Sequence, residues 1–334
     1  MATETYPVTP IPSYVFTYEE GFSTIVSDFE GENEQRQSAR RFGRRNFGME
    51  YKIIIVASEW YLLHDFFRKK QGGLVPIWFF DFYKKNWTDE YVGRGGPFWV
   101  DGAVADDGGV QTDESTGASE SGTSNDMTLL PAVPAVNDAY YFGKSFMFDK
   151  LTVCIGIPGV GVWTIAWEYW NGSAWTALAG VTDGTTKFTA AAGDRDVTFT
   201  MPNNWVDCEV KNRNLYWVRA RVSAYTSVAT QPKGSYAKVD TKTYDLHSKT
   251  TTNDASLITY VNGVVTAKTF VSGGGGGGAD RVTFAGYQTT GVLITSDFQG
   301  YLRIKAVMPD RFTDQQFSPL HTAIGTIRVR EVQW

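Results

Sequence analysis

The sequence predicts a mainly β protein, a β-rich α+β fold in which a discontinuous domain with one helix carries an inserted all-β sandwich module. Three observations lead to this prediction. Short aromatic and β-branched runs, broken by Gly, Pro and Asn, recur along most of the chain, as they do in strands. Only residues 58–73 show a clear helical period. An acidic stretch at 103–127 separates regions that differ in amino-acid composition.

Length and composition set the class of protein. The chain has 334 residues, of which 42% are hydrophobic and 15% aromatic, and a chain of this size buries up to ~75% of its unfolded surface. The net charge of −5 argues against nucleic acid as a partner. No apolar run approaches the ~18 residues of a membrane span, and the first twenty residues lack the pattern of a signal peptide. We therefore expect no membrane insertion and synthesis in the cytoplasm.

The helix is predicted over SEWYLLHDFFRKKQGG. Ser58 is the expected N-cap. Leu62, Leu63, Phe66 and Phe67 recur on one face at helical spacing and predict its buried side. Strand-like runs precede and follow the segment, so the order β-α-β is expected here.

The domain boundaries follow from changes in composition. Residues 103–127 contain six acidic residues, no basic ones and few large apolar side chains, which predicts an acidic Gly/Ser linker. Residues 128–227 then form the inserted β-sandwich module. The discontinuous domain comprises 1–102 and 228–334. An insertion of this kind is tolerated because lengthening a loop costs only ~0.6 kcal/mol per doubling.

Two Asn-Gly pairs predict hairpins with type I′ turns, in which both central residues have φ > 0. Asn171-Gly172 lies between EYW and SAW, and Asn262-Gly263 lies between valines. The glycine run 273–278 lacks the GK[ST] ending of a phosphate loop and is expected to be a strand connection.

No catalytic arrangement is apparent in the sequence. The three histidines, His64, His247 and His321, lie far apart and outside any known catalytic motif. Cys154 and Cys208 are expected to be buried structural thiols, and the sequence leaves open whether they pair. We therefore expect no enzymatic activity, no catalytic residues, no bound metal and no cofactor.

An arginine-rich segment is a candidate interface. Five arginines fall within ten residues, and Arg36, Arg40 and Arg44 recur at even spacing. Arginine is favoured in bidentate pairs with carboxylates at interfaces. Contacts between subunits are the favoured interpretation, while a solvated face and a nucleic-acid contact are the alternatives.

Six of the eleven tryptophans fall between positions 163 and 217. Large aromatics fill the core of a sandwich, but they also form platforms that stack on sugar rings. In WTIAWEYW, period two places Trp163 and Trp167 on a core face and Trp170 on the opposite face. Trp170 and Trp175 flank the predicted turn and are the candidate ligand-binding residues.

The two ends of the chain resemble a known family. The segments SDFEGENEQRQSARRFGRRNFGMEYKIII and SEWYLLHDFFRKKQGGLVPIWFFDF are similar to the N-terminal domain of phage distal tail proteins, in the branch shared with gene transfer agents. The matching elements are Glu34 with Arg36, Tyr51, Phe66-Phe67 with Gly72, and Phe80-Asp81. The ending resembles the family's closing hairpin through MPDRFTD at 308–314 and Glu331, although Asp310 departs from the family pattern.

The resemblance implies a structural virion protein at the tail tip. Distal tail proteins form a homohexameric ring that joins the tail tube to the hub or baseplate. Residues 103–227 interrupt the family pattern, and EYWNGSAWTAL resembles the jelly-roll-like β-sandwich modules of tail and baseplate proteins. Such a module would serve in attachment to a fibre or to the host surface, where a glycan is one candidate partner. The alternative is a carbohydrate-binding adhesin of a phage tail.

Overall fold

The computed structural model describes residues 16–21, 24–28, 34–38, 44–49, 55–70, 77–81, 86–122, 124–246, 248–250, 256–307, 314–318, 321–324 and 327–331. It is mainly β, with several antiparallel sheets, as predicted. The chain divides into two compact units. Unit 1 comprises Met1–Trp87, His247–Thr251 and Gln299–Trp334, and unit 2 comprises Thr88–Leu246 and Thr252–Phe298.

Strands make up most of the described elements. In chain order they are β1 (Phe16–Gly21), β2 (Thr24–Asp28), β3 (Glu34–Ser38), β4 (Arg44–Met49), β5 (Ile55–Val56), β6 (Ile77–Asp81), β7 (Asn86–Arg94), β8 (Phe98–Trp99), β9 (Gly102–Asp107), β10 (Val110–Asp113), β11 (Met127–Thr128), β12 (Ala139–Lys144), β13 (Lys150–Ile157), β14 (Val160–Trp170), β15 (Trp175–Ala177), β16 (Thr182–Asp183), β17 (Gly193–Thr198), β18 (Cys208–Val210), β19 (Arg213–Thr230), β20 (Lys233–Asp240), β21 (Thr243–Asp245), β22 (Ser248–Thr250), β23 (Ile258–Val261), β24 (Val264–Val265), β25 (Lys268–Val271), β26 (Arg281–Phe284), β27 (Leu293–Val307), β28 (Asp314–Ser318), β29 (His321–Ile324) and β30 (Ile327–Glu331). The α-helices are α1 (Ala57–Lys69) and α2 (Ser115–Ala118).

Unit 1 joins the two ends of the chain in one sheet. Strand β4 pairs on one side with β1 and on the other with β30, where Phe47 lies opposite Val329. Strand β30 continues to β27, which also pairs with β6 and β22. A second sheet has the order β28-β29-β5, and β2 and β3 form a two-stranded hairpin.

Helix α1 follows β5 and precedes β6, so the predicted β-α-β order is confirmed. The helix begins at Ala57, one residue earlier than expected, so Ser58 lies in its first turn and is not its N-cap. Leu63 and Phe66 are buried as predicted, and Phe67 is partly buried. The prediction for Leu62 is wrong, because its side chain is 53% exposed.

Unit 2 contains a β-sandwich. One sheet has the order β10-β9-β12-β19-β14-β15, and the other has the order β11-β20-β13-β17-β16. Inward side chains of the two sheets form one buried cluster, in which Tyr140, Phe142 and Trp167 from the first sheet meet Leu151 and Val153 from the second. The predicted alternation in β14 is confirmed, since Trp163, Trp167 and Tyr169 are buried in this core and Ile165 packs against it.

The segment 103–127 is not a linker. It contains most of β9, all of β10, helix α2 and the start of β11. Strand β9 pairs with β12, which buries Ala103 and Val104 completely. The carboxylate of Glu114 accepts hydrogen bonds from the Thr128 N–H at 2.7 Å and the Tyr140 hydroxyl at 2.9 Å. The segment is ordered because a neighbouring strand satisfies its backbone and its acidic side chains act as acceptors.

The module is also larger than residues 128–227. Unit 2 begins at Thr88 and extends to Phe298, apart from residues 247–251. It includes a three-stranded sheet, β21-β26-β25, in which the glycine run joins β25 to β26. The boundaries of the two units therefore differ from those predicted from composition.

The two Asn-Gly pairs form different turns. Asn262 and Gly263 have φ of 51° and 78° and join β23 to β24 directly, so the predicted type I′ hairpin is confirmed there. Asn171 and Gly172 also lie in a hairpin, with Trp170 opposite Trp175. Its loop has four residues and only Gly172 has positive φ, so the type I′ prediction is wrong at this site.

Side-chain hydrogen bonds explain the difference at Asn171. Its Oδ1 accepts the N–H groups of Ser173 at 2.9 Å and Ala174 at 2.8 Å. An Asx turn of this kind replaces the tight two-residue turn.

Within the described residues, no helix is long and apolar enough to cross a membrane.

Candidate functional site

The β14–β15 hairpin brings the two candidate ligand-binding tryptophans together. Trp170 and Trp175 occupy opposite positions in the strand pair, and their ring centroids lie 5.7 Å apart at an interplanar angle of 62°. Alternation along β14 directs Trp170 away from the core that buries Tyr169. Both tryptophans are partly exposed. We call this pair, with the side chains that pack on it, the aromatic platform.

Arg219 and Tyr141 complete the aromatic platform. The Cζ atom of Arg219 lies 4.4 Å from the centroid of the Trp175 ring and 5.9 Å from that of Tyr141. The Tyr141 and Trp175 rings meet edge to face at 5.4 Å. A guanidinium in this position is attracted by the ring faces and fixes their orientation.

The Glu168 carboxylate is shared by Arg219 and Arg221. Its carboxylate accepts from Arg219 Nε at 2.8 Å and from Arg221 Nη2 at 2.8 Å, although the residue is only 6% exposed. Burial raises the pKa of Glu168, but the hydrogen bonds from Arg221 and Arg219 outweigh it and hold that pKa below its usual value. The same bond raises the pKa of the Arg221 guanidinium. The carboxylate is therefore ionised and paired.

Trp217 anchors the platform to the sheet. It is fully buried on this outer face because β18 folds over it, and its Nε1 donates to the Cys208 carbonyl at 3.0 Å. A Cβ atom added at Gly102 or at Gly143 would lie 2.6 Å from the Trp217 ring. The two glycines therefore provide the space in which the indole lies against the backbone of β9 and β12.

The guanidinium groups of Arg219 and Arg221 are engaged within the protein. Arg219 Nη1 donates to the Tyr141 hydroxyl at 3.2 Å, and Arg221 Nη1 donates to Asn137 Oδ1 at 3.2 Å. The remaining guanidinium contacts are those with Glu168. The platform therefore presents to a ligand mainly the surfaces of two indole rings, which suits stacking.

Cys208 lies near the aromatic platform, and Cys154 lies in the opposite sheet. The two do not form a disulfide. Cys154 is buried and Cys208 is partly buried, and both are free thiols. Burial raises the pKa of Cys154. Burial, together with the charge of Asp207, raises the pKa of Cys208 to about 11. Both thiols are protonated at neutral pH, a state that disfavours nucleophilic attack.

The predicted interface arginines are only partly described. Arg36 lies in β3 and Arg44 begins β4, but their side chains lie outside the described part of the structure. Arg40 lies outside the described residues altogether. His64 is partly buried in α1, His247 is outside the described residues, and His321 lies in β29. The assignment of these arginines to a contact between subunits therefore stays a prediction.

Sequence reasoning missed Tyr141, Glu168, Arg219 and Arg221 as members of the site. A usable signal was present in YWVRARV, where period two places Trp217, Arg219 and Arg221 on one face of a strand. Their pairing with Glu168 depends on β14 lying beside β19, a long-range strand pairing that the sequence does not predict. The contribution of Tyr141 depends on the strand order and could not be predicted.

No protein-family model matches the chain, and no curated protein matches it.

Proposed function

We propose that the chain is a structural virion protein of a phage tail tip, a distal tail adaptor that forms a ring and joins the tail tube to the hub or baseplate. Its β-sandwich serves as a peripheral module for attachment to the host surface or to a fibre. The partners of the chain are then identical copies, the tube protein and the hub or baseplate proteins. The protein works by assembly, without a catalytic step.

The pairing of β4 with β30 is the observation that carries this proposal. Unit 1 is built from both ends of the chain, with Met49 opposite Ile327 across the β4–β30 pair. These ends are the parts that resemble the distal tail family. A chain that closes one domain from its two ends can carry a second domain between them without disturbing the first.

The β2–β3 hairpin is suited to contacts between copies. It forms a two-stranded sheet, and neither strand pairs with a third strand in the described part of the chain. Arg36 lies opposite Val26 near its middle. Contacts in a closed ring join one face of each copy to a different face of the next, so a two-stranded hairpin with an arginine fits one side of such a contact.

Native mass spectrometry and electron-microscopy class averages of the purified full chain test the proposal. A closed ring of about six copies is expected from the family resemblance. The triple reversal Arg36→Glu, Arg40→Glu and Arg44→Glu is expected to prevent ring formation. The reversal Lys211→Glu, at an exposed turn of unit 2, is the matched control. A chain that stays monomeric at every concentration contradicts the proposal.

A carbohydrate-binding adhesin is the second candidate, favoured by the paired indoles of Trp170 and Trp175. Aromatic faces stack on the C–H faces of sugars. A glycan array probed with the full chain tests it, with Trp170→Ala and Trp175→Ala as variants. Glycan binding that both variants abolish supports the adhesin, and an array without signal removes it.

A further inference from the structure

A cleft of about 300 Å³ lies beside the β14–β15 hairpin, within unit 2. Tyr169 and Ala177 line it from the hairpin, and the loop Thr200–Asn204 lines it from the end of β17. Gly274 and Arg281 supply the remaining wall. Neither the resemblance nor the sequence motifs draw attention to this place.

The wall at Arg281 is fixed and electrically neutral. Arg281 Nε donates to Asp245 Oδ1 at 2.6 Å, while its Nη1 and Nη2 donate to the carbonyls of Met201 and Pro202 at 2.8 and 3.2 Å. Asp245 also accepts the N–H of Gly276 at 2.7 Å. The ion pair thus joins the glycine run to the loop that forms the opposite side of the cleft.

The loop offers polar groups that the protein itself leaves available. The Tyr169 hydroxyl donates to Asn204 Oδ1 at 2.8 Å. This bond fixes the side-chain amide and does not use its Nδ2 donor. Within the described part of the chain, Asn204 Nδ2, the Asn203 amide and Thr200 Oγ1 have no hydrogen-bond partner. All three residues are exposed. This differs from the aromatic platform, whose guanidinium groups are engaged internally.

The lining determines the chemistry of a ligand. Its free groups are uncharged amides and a hydroxyl, and its single charged side chain is already paired. Ala177, Met201 and Pro202 add apolar surface. A charged ligand would lose hydration here without gaining an opposite charge, whereas a ring with hydroxyls at its edge and a C–H face would satisfy both kinds of surface.

We propose that this cleft binds one ring of a neutral pyranose sugar. Its volume is at the lower end of the range of about 300–1,000 Å³ for small-molecule sites, which favours one ring over an oligosaccharide. Asn203, Asn204 and Thr200 hydrogen-bond the hydroxyls, and the apolar residues contact the C–H face. The inference rests on the proposed attachment role, for which it names a ligand class, and it assigns the sugar to the cleft and not to the platform.

Saturation-transfer NMR and titration with the full chain test the proposal. The probes are methyl α-glucopyranoside, methyl α-galactopyranoside and N-acetylglucosamine, with glucuronate as the charged counterpart. At least one neutral probe is expected to bind and to bind more tightly than glucuronate. The double variant Thr200→Val, Asn203→Ala is expected to weaken binding about tenfold, the effect of losing one or two neutral hydrogen bonds. Thr226→Val, at an exposed position in β19, is the matched control and keeps full affinity.

Two results would overturn the proposal. One is the absence of binding by all three neutral probes at millimolar concentration. The other is undiminished affinity in a double variant whose circular dichroism is unchanged, above all if Trp175→Ala abolishes binding instead. Native mass spectrometry of the same sample reports ring formation independently. An empty cleft in an intact ring thus contradicts only the sugar site, and a monomer that binds sugar contradicts only the adaptor.

Discussion

Arg219 lies over the indole of Trp175, with 4.4 Å between its Cζ atom and the ring centroid. The same guanidinium donates to Glu168, which is almost completely buried on the outer face of the sheet. The contact joins the half-exposed end of the hairpin to a paired charge in the middle of the sheet. The orientation of Trp175 therefore depends on the arginine and not only on hydrophobic packing.

The substitution Arg219→Lys tests this dependence. Lysine keeps the charge but loses the planar stack and the forked hydrogen bonds. We expect the free energy of unfolding to fall by about 1–2 kcal/mol, from the lost cation–π contact and a charge-assisted hydrogen bond. Denaturant titration followed by tryptophan fluorescence measures the change. Arg195→Lys, whose side chain bonds only backbone carbonyls, is the control and should change stability by less.

The fit of Trp217 against glycine gives a second prediction. A methyl group at Gly143 would lie 2.6 Å from the indole, and moving the ring would disturb the cover formed by β18. We expect Gly143→Ala to lower the free energy of unfolding by about 1–3 kcal/mol, as overpacking does in other cores. Gly286→Ala is the matched control, because nothing lies within 4 Å of the added atom. Equal midpoints of thermal unfolding for the two variants would contradict the packing argument.

Two buried aspartates give a prediction about pH. Burial raises the pKa of Asp149 and of Asp240. Lys150, Lys242 and Tyr287 lie close to them and offset only part of this effect. A carboxyl with a raised pKa binds more protons in the folded state, so its contribution to stability is fully present below the unfolded pKa and is lost as the pH rises through the folded pKa.

Removing the charge at Asp149 should therefore raise the free energy of unfolding more at neutral pH than in acid. We expect the stability of Asp149→Asn relative to the unmodified chain to be more favourable at about pH 7 than at about pH 3, which lies below the unfolded pKa of aspartate of ~3.9. Denaturant titration at the two pH values measures the difference.

Glu168→Gln serves as the opposite case. The lowered pKa of Glu168 supplies stability at neutral pH that is lost in acid, so its replacement should cost more at the higher pH. The same trend in both variants would contradict the burial argument.

Local patterns predicted local structure well in this protein. Alternation in WTIAWEYW correctly assigned Trp163 and Trp167 to the core, because a strand has a period of two in any context. The segment 103–127 was beyond such reasoning, since its order comes from pairing with β12 some thirty residues later. The aromatic platform could be predicted from the sequence only in part. Its tryptophans were found from the turn, but Tyr141 reaches them only because β12 and β14 lie on either side of β19.

The two Asn-Gly turns allow a direct comparison of two physical roles of asparagine. At position 262 the residue has φ of 51°, so Asn262→Gly removes a conformational cost and should change stability by less than about 0.5 kcal/mol. At position 171 the side chain accepts two backbone N–H groups, so Asn171→Gly should cost about 1 kcal/mol. It should also alter the near-ultraviolet circular dichroism of the Trp170–Trp175 pair, whose rings the turn holds 5.7 Å apart. Similar losses at the two sites would mean that the Asx hydrogen bonds do not determine the shape of the turn beside the platform.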